Sequence, residues 1–408
     1  MEQKTNTSAL TDVPAQGEKE YSYLNLGPTH PATHGIFQNV LKMDGEIIIE
    51  ATPTIGYIHR AFEKLAEHRP FYQITPITDR MNYCSSPINN MGWHMTVEKL
   101  LKIEIPKRVQ YIRVIIMELS RIADHIICNT IIGQDVGATT GFLYLFQYRE
   151  RIYEIFEEIC GARLTTNIGR IGGMERNVSD KAWDKLDQWL IDFPVAFKEF
   201  SGLLERNRIF MDRTIGCGPI SGERALAYSF SGPNLRAAGV DYDVRVMNPY
   251  SSYEEFDFIV PVGTQGDTYD RFMVRQQEMH ESLKIIRQAL EKIKKEPGDI
   301  FKADVPEYVL PPKEEVYNDM EALIYHFKNI MGETEIPKGE VYHAVEGGNG
   351  ELGFYLISDG GTGSYRTRIR APSFAHMQML PQLCRGLMIP DLLAILGSLD
   401  YVLADIDR

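Results

Sequence analysis

The sequence predicts an α+β protein: a helical body, a small β-rich unit before it and an α/β unit after it. Three observations carry that expectation. Through the middle of the 408-residue chain, apolar residues recur at intervals of three and four, the mark of amphipathic helices. Ahead of this stretch two β-like runs flank Asp44-Gly45, and behind it two more flank Asp359-Gly360-Gly361. Asp-Gly between such runs is a strong hairpin signal.

In chain order, residues 1–20 read as a flexible polar tail, lacking both the apolar centre of a signal peptide and the Arg-rich character of a transit peptide. The N-terminal unit, residues 21–95, opens with the turn-rich GPTHPATHG. Two prolines limit that loop's freedom and display His30 and His34 just before the first hairpin, residues 36–43 and 46–51. The body, residues 96–295, begins its helical period near Thr96. Val109, Ile112, Ile115, Leu119, Ile122 and Ile126 then form one stripe, with Pro106 at a first-turn position. Further stripes at 143–159, 182–204 and 272–293 complete a bundle. Residues 217–266, rich in Gly, Pro and Ser, read as a structured excursion across it. The C-terminal unit, residues 296–408, holds a polar connector, a hairpin of 353–357 with 365–369, and a final helix at 388–399.

Charge and cysteine usage exclude several classes. Lys and Arg number 43 against 56 Asp and Glu, a net charge of −13. No basic block is long enough to track a phosphate backbone, so no nucleic acid is expected as a partner. Cys84, Cys128, Cys160, Cys217 and Cys384 are odd in number and form no C-x-x-C pair. That pattern fits free thiols in a reducing compartment and no cysteine-held metal. The richest apolar stretch, residues 109–132, is interrupted by Arg113, Glu118, Arg121 and Asp124, which excludes a membrane span.

No phosphate-cradling Gly loop, G-x-S-x-G elbow or H-E-x-x-H helix is present. What remains is His34 on the pinned loop, Tyr83 in DRMNYCSS and Asp135 in GQDVGATTG. Each taken alone has an ordinary reading, as a solvated His, a half-buried Tyr and a turn or cap Asp. By the same standard Arg60 and Asp79-Arg80 read as surface ion pairs, and Cys84 and Met91 as core filling. Glu118, Arg121 and His125, spaced by three and four, read as a structural network on one helix face.

Taken together, GPTHPATHG, GYIHRAFEK, FYQITPITDRMNY, GARLTTNIGRIGG, SGPNLRAAGVDYDVR, VPVGTQGDTYDRF, RIRAPSFAH and the terminal DIDR resemble a known family. In order and approximate spacing they are similar to the 49-kDa-type (D-type) quinone-site subunit of respiratory complex I (NADH:quinone oxidoreductase). The likeness covers residues 21–408. It implies a body like the large subunit of nickel-iron hydrogenases, to which this family is related. Those hydrogenases hold their metal with two C-x-x-C pairs, whereas this chain has Tyr83-Cys84-Ser85-Ser86 at the first place and no cysteine in 405–408. Ser and Asp cannot replace thiolates at a soft metal site. The resemblance therefore implies no bound metal and a quinone pocket where the metal cavity would be.

Carried over by motif, the resemblance gives His34 and Tyr83 as hydrogen-bond donors to the two quinone carbonyls and Asp135 as the carboxylate paired with His34. That pairing would raise the imidazole pKa through a hydrogen bond or a water bridge. Val402 would line the apolar part of the pocket. Arg60 would lie near the terminal 4Fe–4S cluster of the adjacent B-type iron–sulfur subunit. Two departures stand out: Asn82 where many relatives have Asp, and Thr165 where the family often has a histidine linked to that cluster. Threonine takes up no proton at neutral pH, so this role is not carried over. The implied protein is a peripheral subunit on the cytoplasmic face of a bacterial inner membrane, within a proton-pumping enzyme. Its implied partners are the B-type and C-type subunits, the membrane-arm subunits and a quinone, menaquinone or ubiquinone. Two alternatives stay open: a membrane-bound hydrogenase-type large subunit, which the missing C-x-x-C pairs oppose, and a non-catalytic scaffold, which the joint presence of His34, Tyr83 and Asp135 opposes.

Overall fold

The computed structural model describes residues 20–296, 298 and 300–408; residues 1–19 of the expected tail lie outside the described residues. The chain begins with an antiparallel meander of β1 (Ser22–Leu26), β2 (Gln38–Asp44) and β3 (Ile47–Thr54). Asn39, Leu41 and Met43 alternate inward along β2, as a strand with one buried face requires. The loop between β1 and β2 is fixed by Thr33, whose hydroxyl donates to the carbonyls of Pro28 (3.1 Å) and His30 (2.7 Å). Gly27 is obligatory there: its φ is +90°, and a Cβ would sit 2.3 Å from the Phe37 carbonyl oxygen.

Five long helices form the body: α1 (Ser86–Leu101), α2 (Lys107–Asp135), α3 (Thr139–Cys160), α4 (Asp180–Leu204) and α5 (Thr268–Ile293). The three later stripes fall within α3, α4 and α5. Pro106 is the residue before the first turn of α2 rather than within it, where its extended backbone starts the helix equally well. α2 runs through the centre, packed against α1, α3 and α5. The excursion after α4 carries three short helices, Gly222–Ala227, Gly232–Ala237 and Val244–Met247. Beyond α5 a second meander follows: β4 (Gly339–Glu346), β5 (Glu351–Ser358) and β6 (Arg366–Arg370). α6 (Ile389–Leu399) leads to the last turn, Leu403–Ile406. The chain is thus α+β.

Two apolar cores organise these elements. One joins the body helices to β4–β6. The other joins β2 and β3 to α6 and the last turn through Leu41, Ile48, Leu392, Ile395 and Ile406. The two ends of the chain therefore share one core, which brings the β1–β2 loop against residues 400–408.

Buried charges cross the body. Glu118 accepts from Ser282 and Tyr253, each at 2.6 Å, and lies 3.3 Å from Arg121 and 3.2 Å from Arg245. Glu278 lies 2.8 Å from His125 and 2.6 Å from Arg236, which also pairs with Glu346 at 2.8 Å. Glu118, Arg121 and His125 are thus the structural network expected of them. Removing one member of such a set leaves a buried charge uncompensated, at a cost of about 3–5 kcal/mol.

Asp79 corrects an expectation. It is buried rather than part of a surface ion pair, and its Oδ1 has no hydrogen-bond partner. Burial raises its pKa to about 7. In the unfolded chain the carboxyl ionises at about pH 4, so folding holds on to a proton between there and about pH 7. Stability contributed by this group is fully present at low pH and is lost as pH rises through that window. Asp79→Asn should therefore raise stability above pH 7, by about 4 kcal/mol at most for a pKa raised from about 4 to about 7, and change little near pH 4. Thermal unfolding of wild type and variant at both ends of the window reads this difference, and an equal gain at both ends would refute it.

Candidate functional site

Three segments remote in sequence converge at residue 401. The first is the β1–β2 loop, wound into a single turn at Pro31–Thr33 with His30 Nδ1 accepting from the Ala32 amide (3.1 Å). His34 follows in left-handed geometry (φ 56°), which turns the chain back toward β2. The Tyr401 hydroxyl donates to the Ala32 carbonyl (2.8 Å), and its ring stands 6.5 Å from the His34 ring and 5.9 Å from that of Phe37. One tyrosine therefore anchors the loop and flanks its histidine.

The second segment is the turn leading into α1. Asn82 Nδ2 donates to Asp124 Oδ2 (3.0 Å) and to Asn349 Oδ1, while its own Oδ1 accepts from the Cys84 amide (3.0 Å). Ser85 adds a second bond to Asp124 (2.8 Å). This clamp to the buried middle of α2 fixes the turn on both sides of Tyr83. The Tyr83 side chain itself is 38% exposed, and its hydroxyl has no partner among the described residues. Dehydration, helped by Cys84 and Asp124, pushes the phenol up to about 12, and Arg149 works against that rise. The group is a protonated, unoccupied donor.

The third segment is the end of α2. Asp135 is its last residue and lies against α6, so that a Cβ at Gly397 would be 3.1 Å from Asp135 Oδ2. Partial dehydration raises the carboxyl to about 6. Tyr401 is pushed up mainly by its own burial, and further by the charges of Asp135 and Tyr83. Val402, the next residue, is buried and donates its amide to Ser373 Oγ (3.3 Å).

His34, Tyr83, Asp135 and Val402 are thus gathered around Tyr401, a residue that sequence reasoning missed. The available signal was its position beside Val402, a hydroxyl-bearing ring within an apolar C-terminal stretch. Of the two links expected between His34 and Asp135, a hydrogen bond or a water bridge, the direct hydrogen bond is not formed. No ion pair joins them among the described residues, and dehydration lowers the imidazole pKa where a paired carboxylate would raise it. The physical reason is local: the loop is moored through Ala32 to Tyr401, with no carboxylate at the ring.

Arg60 stands apart from this group. It is exposed, has no carboxylate partner among the described residues, and lies 5.5 Å over the Phe62 ring. Beside it is a cavity of about 300 Å³ lined by Ile55, Gly56, His59, Glu63, Asp407 and Arg408. Asp407 closes that wall, its two carboxylate oxygens accepting from the amides of Gly56 (2.8 Å) and Ile58 (3.0 Å). Ser85 donates to Asp124 Oδ2 (2.8 Å) and Ser86 Oγ accepts from the Thr166 amide (3.2 Å). Thr165 itself adopts a left-handed backbone (φ 53°). Among the described residues no three His, Cys, Asp or Glu side chains come close enough to hold a metal, and no helix is long and apolar enough to cross a membrane.

Comparison with known proteins gives the family context. Residues 135–408 match the family described as respiratory-chain NADH dehydrogenase, 49 Kd subunit. The chain is 67% identical to the NADH-quinone oxidoreductase D-type subunit 2 of Cytophaga hutchinsonii, over 94% of this chain and 98% of that one. It is 68% identical to the D-type subunit of Flavobacterium johnsoniae, over 95% and 94%, and 50% identical to that of Leptospira biflexa, over 94% of each.

Proposed function

The chain belongs to the 49 kDa subunit family of respiratory-chain NADH dehydrogenases, and from that premise we propose that it binds the quinone head group of the complex between His34 and Tyr83. The single observation that carries this reading is the convergence on Tyr401 of polar groups from residues 34, 83 and 135, which the sequence keeps far apart. Two-electron reduction places negative charge on both carbonyl oxygens of a quinone. Donors at each oxygen stabilise that charge and supply protons. Tyr83 offers a hydroxyl with no competing partner. His34 offers an imidazole on the β1–β2 loop, its ring 6.5 Å from that of Tyr401. Asp135, a carboxyl that titrates at about 6, can hold or release a proton near neutral pH, and Val402 supplies apolar wall.

In this reading electrons reach the quinone from the 4Fe–4S cluster of the B-type iron–sulfur subunit. The exposed, unpaired guanidinium of Arg60 is the group that faces that partner. The C-type subunit and the membrane-arm subunits complete the surroundings, on the cytoplasmic side of the bacterial inner membrane. Protonation at the site and movement of the 27–35 loop would pass the energy of quinone reduction on to proton translocation. The quinone is a menaquinone or a ubiquinone.

A photoreactive quinone irradiated with the assembled complex tests this. Label is expected in residues 27–35 and 80–86 and should be displaced by excess quinone. Saturable label confined to other subunits would leave this chain a scaffold.

A further inference from the structure

A chain of hydrogen bonds joins the Tyr83 turn to the His34 loop. It passes through the turn between β4 and β5, Gly347-Gly348-Asn349-Gly350, which the Gly347 amide closes by donating to the Gly350 carbonyl (2.8 Å). Gly348 lets this turn press on α2: a Cβ there would sit 2.3 Å from Asp124 Oδ2, the oxygen that Asn82 and Ser85 already engage. Asn349 is buried. Its Oδ1 accepts from Asn82 Nδ2, and its Nδ2 donates to the Asp400 carbonyl (2.6 Å). A side-chain amide suits that place because it accepts at one end and donates at the other.

Asp400 is held where the bond needs it. It closes α6 in left-handed geometry (φ 53°), which a residue other than glycine keeps only where its surroundings enforce it. Its carboxylate lies 3.5 Å from the buried Arg275 guanidinium, and its carbonyl takes the Asn349 bond. The next residue carries the chain onward, since the Tyr401 hydroxyl donates to the Ala32 carbonyl (2.8 Å), two positions before His34. Within the loop, the amides of Thr33, His34 and Ile36 donate to the carbonyls of His30, Pro31 and Thr33. Those bonds shape the loop without tying it to the body, and the Tyr401 bond supplies the tie.

We propose that Asn349 and Tyr401 are positioning residues of the quinone site, two links of one brace that holds the Tyr83 turn and the His34 loop in fixed relation. The inference rests on the function proposed above. Neither residue gives a proton to the quinone; each acts through the donor at its end of the brace. At the Tyr83 end Asn82 makes the connection, its Nδ2 taken by Asn349 and its Oδ1 accepting the Cys84 amide (3.0 Å) across Tyr83. Donors fixed before the reaction favour the charge that develops on the two carbonyl oxygens, and a small displacement of either lowers the rate steeply.

The test pairs hydrogen exchange with steady-state quinone reduction by the assembled complex. Each rate is normalised to NADH-driven reduction of a hydrophilic acceptor, so that a loss of intact complex cancels. Tyr401→Phe removes one bond and keeps the ring, so exchange across residues 27–37 should quicken about fivefold. In the same variant kcat should fall about fivefold with KM nearly unchanged. In a His34→Ala background Tyr401→Phe should cost nothing further, because the group it places is gone. Asn349→Ala alters neither donor, yet it should quicken exchange across both 27–37 and 80–86 and lower kcat about tenfold. If that variant does not assemble, the cycle of Tyr401→Phe with His34→Ala decides alone. Faster exchange at 80–86 with 27–37 unmoved would overturn the inference by showing two unrelated anchors. Equal losses from Tyr401→Phe in both backgrounds would overturn it by showing that Tyr401 does not act through His34. Full quinone reduction by His34→Ala alone would instead overturn the proposed function, whatever the exchange shows.

Discussion

A complex carrying Tyr83→Phe is expected to assemble normally and to lose about a hundredfold in quinone reduction, the range of a displaced general acid. Assembly should survive because the Tyr83 hydroxyl bonds to nothing among the described residues, so its removal strands no buried group. The bonds that fix this turn run instead through Asn82, Ser85 and Asp124. Volume and ring stay in place, which keeps the pocket wall intact. Reduction of a hydrophilic acceptor by NADH upstream of the quinone should continue at the wild-type rate. Matched rates with both acceptors would remove Tyr83 from the reaction, whereas loss of both together would point to misassembly.

What could be read ahead of the structure followed from periodicity. The stripe that becomes α2 and those within α3, α4 and α5 were visible because each helix keeps a polar face. α1 was not, since an unbroken run from Ser86 to Glu98 is buried on every side and a helix buried all round has no stripe. β4 was hidden in the polar connector, its outer positions at 339, 340 and 342 being exposed Gly, Glu and Tyr. At the site, no local pattern singles out His34, Tyr83 or Asp135; their candidacy comes from the family resemblance. Tyr401 becomes visible only through the fold, because its bond to Ala32 spans 369 positions. Asp79 shows the limit from the other side. Asp-Arg in sequence suggests a solvated pair, but the turn after Thr75–Thr78 buries the carboxyl and leaves its neighbour Arg80 outside.

A second long-range contact, from the last residues of the chain, makes the other large prediction. Asp407 reaches back to the 55–60 loop, where its carboxylate accepts both the Gly56 and Ile58 amides and its carbonyl lies 2.5 Å from His59 Nδ1. The neighbouring residues hold the tail from other sides: Asp405 accepts from the Ser373 amide (3.0 Å), and Arg408 donates to the Ile369 carbonyl (3.1 Å). Asp407→Ala should therefore leave the tail seated while freeing the loop. Two amides lose a charged acceptor, at about 1.5–3 kcal/mol for each bond, so exchange at Gly56 and Ile58 should quicken by about a hundredfold if local opening governs it. On the role proposed for Arg60, two residues beyond Ile58, the variant removes its fixed presentation, and quinone reduction should fall about tenfold or more even with the Tyr83 site untouched. Asp407→Asn keeps one accepting oxygen and should lie between wild type and Asp407→Ala in both measurements. Unchanged exchange at the two amides in Asp407→Ala would show that the loop holds its shape without the tail. Fast exchange with full activity would show that Arg60 need not be fixed for electrons to reach the quinone.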